Sequence, residues 1–280
     1  MKIAVITGAN AGMGFATSLV LANSGMHVVM LCRNKERGQK ALDQLNARKK
    51  NGSAELILCD LASLADIRKA AEKIHDRFDR IDVLINNAGV VSPQRQETQD
   101  GFEMQIGVNH LGHFLLTNLL LPALRQSKDG RIIIVSSGAH KWGRFYIEDP
   151  HLHEGYNVMK GYGQSKLCNL LFAKELLSRL NNTNISVFTL HPGAVSTDLG
   201  VDRKTGFGKA VHKVFRPIFQ TPREGADTAI YLALSNKVTD KQGHYFVNRK
   251  TEKTSERAKS NGDALRLWNW SEKQTKLNVT

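Results

Sequence analysis

Tyr162 and Lys166 stand four residues apart in Tyr162-Gly163-Gln164-Ser165-Lys166, at the start of a stretch with helical spacing. The two side chains therefore lie one turn apart on the same face. A phenol titrates near ~10, too high for ready proton exchange at neutral pH, and a neighbouring ammonium stabilises the phenolate. The pair suits general acid–base work on an oxygen atom. Taken alone, a Tyr-x-x-x-Lys pair is common on helix surfaces. It gains weight from the loop Thr7-Gly8-Ala9-Asn10-Ala11-Gly12-Met13-Gly14 near the start of the chain. An apolar run precedes this loop and a helical stretch follows it. Tight glycine turns let the backbone approach a pyrophosphate, and the helix start offers free N–H groups and a positive dipole end. Gly8, Asn10, Gly12, Met13 and Gly14 are accordingly expected to cradle a dinucleotide.

The end of the next apolar run reports on which dinucleotide. About 20 residues past the glycines, an acid would hold the ribose 2′-hydroxyl of NAD. The chain reads Cys32-Arg33-Asn34-Lys35 there, without an acid. A guanidinium can grip a 2′-phosphate with paired hydrogen bonds, whereas an acid would repel it. The expectation is NADP(H) in preference to NAD(H), with Arg33 as the discriminating residue.

With these features together, the chain resembles the short-chain dehydrogenase/reductase family. The matching residues are Thr7-Gly8, Gly12, Gly14, Cys59-Asp60-Leu61, Asn86-Asn87-Ala88-Gly89, Asn109, Ser136-Ser137, Tyr162, Lys166 and Pro192-Gly193. Further stretches resemble its retinol-dehydrogenase branch, which includes the WW-domain oxidoreductases. They are Val108 to Phe114, Ser165-Lys166-Leu167, His191-Pro192-Gly193, Thr221 to Ala226, Gly243 to Phe246 and Leu267-Trp268. The resemblance implies that Tyr162 transfers a proton to or from the substrate oxygen and that Lys166 lowers the phenol pKa and binds the nicotinamide ribose. Ser137 would hold the substrate oxygen, and Asn109 would bend its helix and anchor a proton-relay water. Asp60 would accept from the adenine amino group, with Leu61 beside it. Asn87, Ala88 and Gly89 would line the cofactor. Pro192, Gly193, Val195 and Thr197 would cover the nicotinamide and reach the phosphates. The implied reaction interconverts a carbonyl and an alcohol on an apolar substrate such as a retinoid, lipid aldehyde or steroid. Competing readings are C=C reduction of the protochlorophyllide-reductase type and a non-catalytic NADP(H)-binding sensor. Ser137 favours the first reading over C=C reduction, and the full set of Asn109, Ser137, Tyr162 and Lys166 argues against a pure binder.

Positioning these residues falls to an alternation of buried strands and helices. Runs rich in Val, Ile and Leu occur at Lys2–Thr7, His27–Cys32, Ala54–Cys59, Ile81–Asn86, Arg131–Ser136 and Asn184–Leu190, without the polar alternation of half-exposed strands. Between them lie helical stretches at Met13–Asn23, Glu36–Lys50, Leu64–Phe78, Gly101–Gln126 and Tyr162–Leu180. Repeated β-then-α units imply right-handed crossovers. The expected fold is one α/β domain over residues 1–280, a Rossmann-type doubly wound parallel sheet with helices on both faces.

Composition narrows the remaining choices. Among 280 residues, 39 Lys+Arg against 26 Asp+Glu give a formal charge of +13. No nucleic-acid module accompanies that charge, so a field favouring an anionic cofactor or anionic lipid explains it, and no nucleic-acid partner is expected. Apolar runs fall far short of a membrane span, and with the sequence opening on its first strand, the N-terminal anchor common in the retinol-dehydrogenase branch is not expected. Three scattered cysteines fit packed thiols in a reducing compartment. The expected location is the cytoplasm. A substrate lid near 199–222, with apolar residues at helical steps and basic residues on much of the remainder, is either an ordinary helix packed on the body with a solvated basic face or one that also docks on anionic membrane. His110, His113, His151 and His153 lack a completing ligand set, so no metal is expected. By the same resemblance, the long helices Gly101–Gln126 and Tyr162–Leu180 would pair across a two-fold axis in a homodimer.

Overall fold

The computed structural model describes residues 1–193, 221–238 and 240–277. Val195, Thr197 and nearly all of the 199–222 lid lie outside the described residues. Six strands arise from the apolar runs: β1 (Ile3–Thr7), β2 (His27–Cys32), β3 (Ser53–Leu58), β4 (Val83–Asn86), β5 (Gly130–Val135) and β6 (Ile185–His191). Two short strands follow, β7 (Tyr245–Val247) and β8 (Lys250–Glu252). They form one sheet of order β3-β2-β1-β4-β5-β6-β7-β8. All neighbours are parallel except β7 and β8, an antiparallel hairpin. The hairpin departs from the all-parallel expectation. At three residues per strand, with Lys250-Thr251-Glu252 of β8 wholly polar, neither strand stands out from loop sequence.

The strand order reverses direction between β1 and β4, which opens a crevice at their carboxyl ends. Three helices cover one face: α1 (Gly12–Asn23), α2 (Lys35–Arg48) and α6 (Pro222–Leu234). The other face carries α3 (Leu64–His75), α4 (Gly112–Arg125) and α5 (Val158–Arg179). A further helix, α7 (Asn261–Thr275), packs on α5 and reaches α4. Its Trp268 is buried with an edge contact to Phe114, centroids 4.9 Å apart, and a tilted contact to Phe172 at 5.9 Å.

Local signals explain where the helices begin. Asn34, Ser63, Asn157 and Ser260 each accept an amide of the following first turn, and Thr221 with Glu224 forms a reciprocal capping box. Thr221 and Pro222, at the end of the expected lid, are the cap and first residue of α6. The stretch Gly101–Gln126 is not one helix. A short turn at Met104–Ile106 leads into a π-turn, Gly107–Leu111, before α4 begins. Among the described residues, no helix is long and apolar enough to cross a membrane.

Candidate active site

The glycine loop has the shape of an anion cradle. Gly8 and Gly12 take positive φ of 65° and 53°, a region L side chains rarely adopt. At Gly14 a Cβ would meet the Gly8 carbonyl oxygen at 2.3 Å and Asn87 Nδ2 at 2.6 Å, so the helix start is pressed onto the loop. The cap position, Ala11, contributes no side-chain bond, and α1 has no acid in its first turn. Its first amides are left for another acceptor, unlike those of the five side-chain-capped helices. This arrangement fits the pyrophosphate of a dinucleotide. Asn10 and Gly12 border solvent while Met13 is buried. Arg33 follows β2 as an exposed residue next to the α2 cap, free to meet a ribose phosphate. Asp60 uses one oxygen on the Ala62 amide at 3.0 Å. Buried Leu61 lies against α4, where a Cβ on Gly112 would meet its carbonyl oxygen at 2.6 Å.

Thr7 binds the two halves of the sheet together at this point. Its hydroxyl accepts the amides of Asn87 and Ala88, both at 2.9 Å, and lies 2.8 Å from His113 Nε2. His113 Nδ1 lies 3.1 Å from the Asn109 carbonyl. A carbonyl only accepts, so Nδ1 carries the proton, Nε2 is the acceptor, and the Thr7 hydroxyl donates to it. Burial pushes His113 down to about 4, which keeps the ring neutral. Asn87 Nδ2 donates to the Thr7 carbonyl at 2.7 Å, closing the link. The sequence reading treated His113 as a discarded metal ligand and missed Thr7 as a hub. Its one signal was a hydroxyl at the strand end beside the glycines.

Asn109 lies fully buried inside the π-turn, as the expected bend requires. Its Nδ2 donates to the Val90 carbonyl and to Ser165 Oγ, both at 3.0 Å, and its Oδ1 accepts the Val90 amide at 2.7 Å. The loop carrying Asn87, Ala88 and Gly89 is thereby tied to α5. Both amide hydrogens are taken, so a relay water would have to bind a remaining oxygen lone pair. His110, one residue on, points away to Ser271 of α7, 2.8 Å from its Nε2, and burial lowers its pKa to about 3.

Tyr162 and Lys166 both project from α5 as anticipated. Lys166 is buried, its Nζ 3.3 Å from the Val135 carbonyl and 5.6 Å from the Tyr162 ring centroid. Burial lowers its pKa to about 8. The Tyr162 phenol moves the other way. Burial raises it, and a hydrogen bond with Ser137 pulls against that rise. The opposing pull comes from Ser137, and the lowering expected from Lys166 is not among the causes. Tyr162 sits between two helical glycines with a packing reason for each. A Cβ on Gly161 would meet Gln105 Nε2 at 2.5 Å, and one on Gly163 would meet the Trp142 ring at 2.8 Å. Glycine in a helix interior costs about 1 kcal/mol relative to alanine. Two flanking a tyrosine were a legible sign of close approach that the sequence reading did not use. Ser137 opens the turn after β5, its Oγ accepting the Ala139 amide at 3.3 Å. Pro192 and Gly193 extend from the end of β6, with Gly193 at φ 82°.

The histidines and cysteines singled out earlier are engaged elsewhere. His151 stacks on Phe102 with centroids 5.6 Å apart, and His153 Nδ1 lies 3.1 Å from an Arg95 nitrogen. Cys32 and Cys59 end adjacent strands, and burial pushes both thiols up to about 12. They are packed, unreactive groups.

Comparison with known proteins follows the same lines. A family model described as short chain dehydrogenase matches residues 2–206. The chain is 42% identical over 288 residues to retinol dehydrogenase 14 of Homo sapiens, covering 97% of this chain and 85% of that one. It is 40% identical over 274 residues to Homo sapiens retinol dehydrogenase 13, at 95% and 82% coverage. Among solved structures, an uncharacterized protein from Mycobacterium Paratuberculosis is similar at 35% identity and a TM-score of 0.80, covering 99% of this chain and 94% of that one. A short chain dehydrogenase from Escherichia coli CFT073, solved in complex with NADPH, is similar in fold at 22% identity and a TM-score of 0.68, covering 89% and 97%.

Proposed function

This chain belongs to the short-chain dehydrogenase family and is an oxidoreductase related to the retinol dehydrogenases, and from that premise we propose that it is an NADP(H)-dependent enzyme interconverting a carbonyl and an alcohol on an apolar substrate. One observation carries the reading: Ser137 and Tyr162 share a hydrogen bond beside the buried Lys166, at the carboxyl end of β5 next to the glycine cradle. The bound dinucleotide supplies the hydride chemistry. Gly8, Asn10, Gly12, Met13 and Gly14 would hold its pyrophosphate, Asp60 and Leu61 the adenine, and Arg33 the 2′-phosphate. Asn87, Ala88, Gly89, Pro192 and Gly193 would line the remainder, with Val195 and Thr197 of the undescribed segment.

The chain's own residues handle the proton. Ser137 orients the substrate oxygen, and Tyr162 gives it a proton during reduction or takes one during oxidation. A phenol held above its ordinary range is protonated at neutral pH, the state a donor to a carbonyl needs. Lys166, with its proton held until about pH 8, is poised to replenish that proton and to bind ribose hydroxyls. Asn109 keeps the cofactor-side loop and α5 in register. Ser137 supports a carbonyl or alcohol oxygen as the reacting group over a C=C bond.

The test is a panel of retinal, medium-chain aldehydes, steroids and quinones, followed by NADPH absorbance with the wild type and Tyr162→Phe. The reading requires turnover of at least one apolar carbonyl by the wild type. It also requires near-complete loss in Tyr162→Phe with NADPH binding intact. Tight NADPH binding without any turnover would point to a sensor. The net charge of +13 supports a cytosolic enzyme working against anionic membrane, which sedimentation with anionic and neutral vesicles checks.

A further inference from the structure

Ser137 is held on its main chain as well as through its hydroxyl. It precedes a single turn, Gly138–Lys141. The Ser137 carbonyl receives the His140 amide at 3.2 Å and His140 Nδ1 at 2.7 Å. The second ring nitrogen, Nε2, accepts the amide N–H of Ser255 at 3.2 Å. A carbonyl can only accept and an amide can only donate, so these two partners assign a neutral imidazole with its proton on Nδ1. His140 is fully buried, and its ring meets Tyr245 edge-on with centroids 5.1 Å apart.

Sterics alone do not hold the serine in place. Gly138 follows it, and among the described residues a Cβ there would touch only His191 Nε2 at an unstrained 3.7 Å. The peptide plane between Ser137 and Gly138, on which the direction of the hydroxyl depends, is fixed instead by the bonds to its carbonyl. The imidazole gives the shorter of the two. We propose that His140 is a positioning residue for Ser137, and that through it the segment at Ser255 sets the hydroxyl that meets the substrate oxygen. This rests on the role given to Ser137 above.

The surroundings of the ring argue for a purpose other than stability. Among the described residues, three buried polar atoms here have no partner: His191 Nδ1, the Tyr245 hydroxyl and Ser255 Oγ. They come from the end of β6, from β7 and from the segment before α7, elements far apart in sequence that meet around one imidazole. Unpaired buried polar atoms destabilise a fold, and an apolar filling of the same volume would be firmer. Such a cluster makes sense if it holds the imidazole, and through it Ser137, in one orientation.

Steady-state reduction by NADPH of the fastest carbonyl in the panel tests the proposal. His140→Leu is expected to lower kcat at least tenfold with the Kd for NADPH unchanged. His140→Asn, whose amide N–H stands close to where the imidazole Nδ1–H was, should recover most of that loss. Ser255→Pro removes the amide donor together with the unpartnered hydroxyl, Ser255→Ala removes the hydroxyl alone, and φ of −64° at Ser255 accommodates the proline ring; kcat should fall severalfold in the proline variant relative to the alanine one. A purely structural role would lower the melting temperature of both His140 variants and leave kcat per folded enzyme unchanged. Wild-type kcat in His140→Leu, or His140→Asn no better than His140→Leu, would overturn the proposal. Ser137→Ala separates the two levels. If it keeps full turnover, the role of Ser137 is wrong; if it is inactive while His140→Leu is active, only the positioning is wrong. Long-range ¹H–¹⁵N spectra of the imidazoles need no turnover and should show the Nδ1–H tautomer for His140. An Nε2–H tautomer would also overturn the proposal.

Discussion

Replacing Thr7 with valine keeps the shape of the side chain and deletes one hydroxyl. That hydroxyl accepts the Asn87 and Ala88 amides and donates to His113 Nε2, all at 2.8 to 2.9 Å in a buried setting. The substitution therefore leaves the Ala88 amide and one imidazole acceptor without their partner, while the Asn87 amide keeps a second acceptor, the Ile85 carbonyl at 3.0 Å. Each unsatisfied buried group costs roughly 1–3 kcal/mol, so about 2 kcal/mol is lost even at the low end. At ~2–4 °C per kcal/mol for a chain approaching this size, the melting temperature should fall by at least ~4 °C. Thr7→Ser is the control. It keeps the hydroxyl and loses a methyl group, worth ~1 kcal/mol. Thermal melts followed by circular dichroism, with and without NADPH, measure both variants. The loop at Asn87 should also loosen in Thr7→Val and weaken NADPH binding. A Thr7→Val protein as stable as Thr7→Ser would refute the hub, because the hydrogen bonds would then contribute no more than the methyl.

The other expectations can be checked with single variants. Arg33→Asp should erase or reverse a preference for NADPH over NADH of about ten- to a hundredfold, the equivalent of a charge-assisted contact of ~1.5–3 kcal/mol, as read by calorimetry; equal wild-type affinities would reject it. Lys166 releases its proton at about pH 8 in the folded protein, whereas the unfolded chain keeps it to near 10.5, so folding stability should rise with pH across that window. Urea midpoints of wild type and Lys166→Met measured from pH 7 to 10.5 should differ by a rise present only in the wild type. Trp268→Ala removes a ring buried against Phe114 and Phe172 and should destabilise by about 3–5 kcal/mol; a loss under 1 kcal/mol would mean that α7 packs loosely.

Much of the layout was readable because it rests on local patterns. Val28 to Leu31 and Ile132 to Ile134 are continuous apolar runs that only a doubly covered sheet can bury, and both became central strands. The spacing of Tyr162 and Lys166 needs nothing beyond a helix to put them on one face. Other features depend on distant partners. The bend at Asn109 was expected from the resemblance alone; the local spacing reads as one continuous helix, and the bonds Asn109 makes inside the π-turn reach Val90 and Ser165 in other segments. The phenol of Tyr162 was expected below its ordinary range because Lys166 was counted and burial was not. Burial is a property of the assembled fold, and here it sets the direction of the shift. His140 and Ser255, 115 residues apart in sequence, meet only because β5 and the segment before α7 are brought together.

The packing of α7 has a consequence for how the molecule comes to be made. Phe114 and Phe172 belong to helices completed early in synthesis, yet the indole that closes over them is at position 268. Until that residue arrives, a nascent chain carries an open apolar groove between α4 and α5, and His110 lacks its Ser271 partner. The groove is a ready seat for a chaperone or for another unfinished copy. In the folded chain α7 fills it. A stop codon or frameshift between 256 and 261 would leave the site residues, and the Ser255 amide that His140 accepts, encoded while stranding the protein at this sticky stage. The harm would show as poor yield and aggregation in the cell, while the chemistry of the site itself would be untouched.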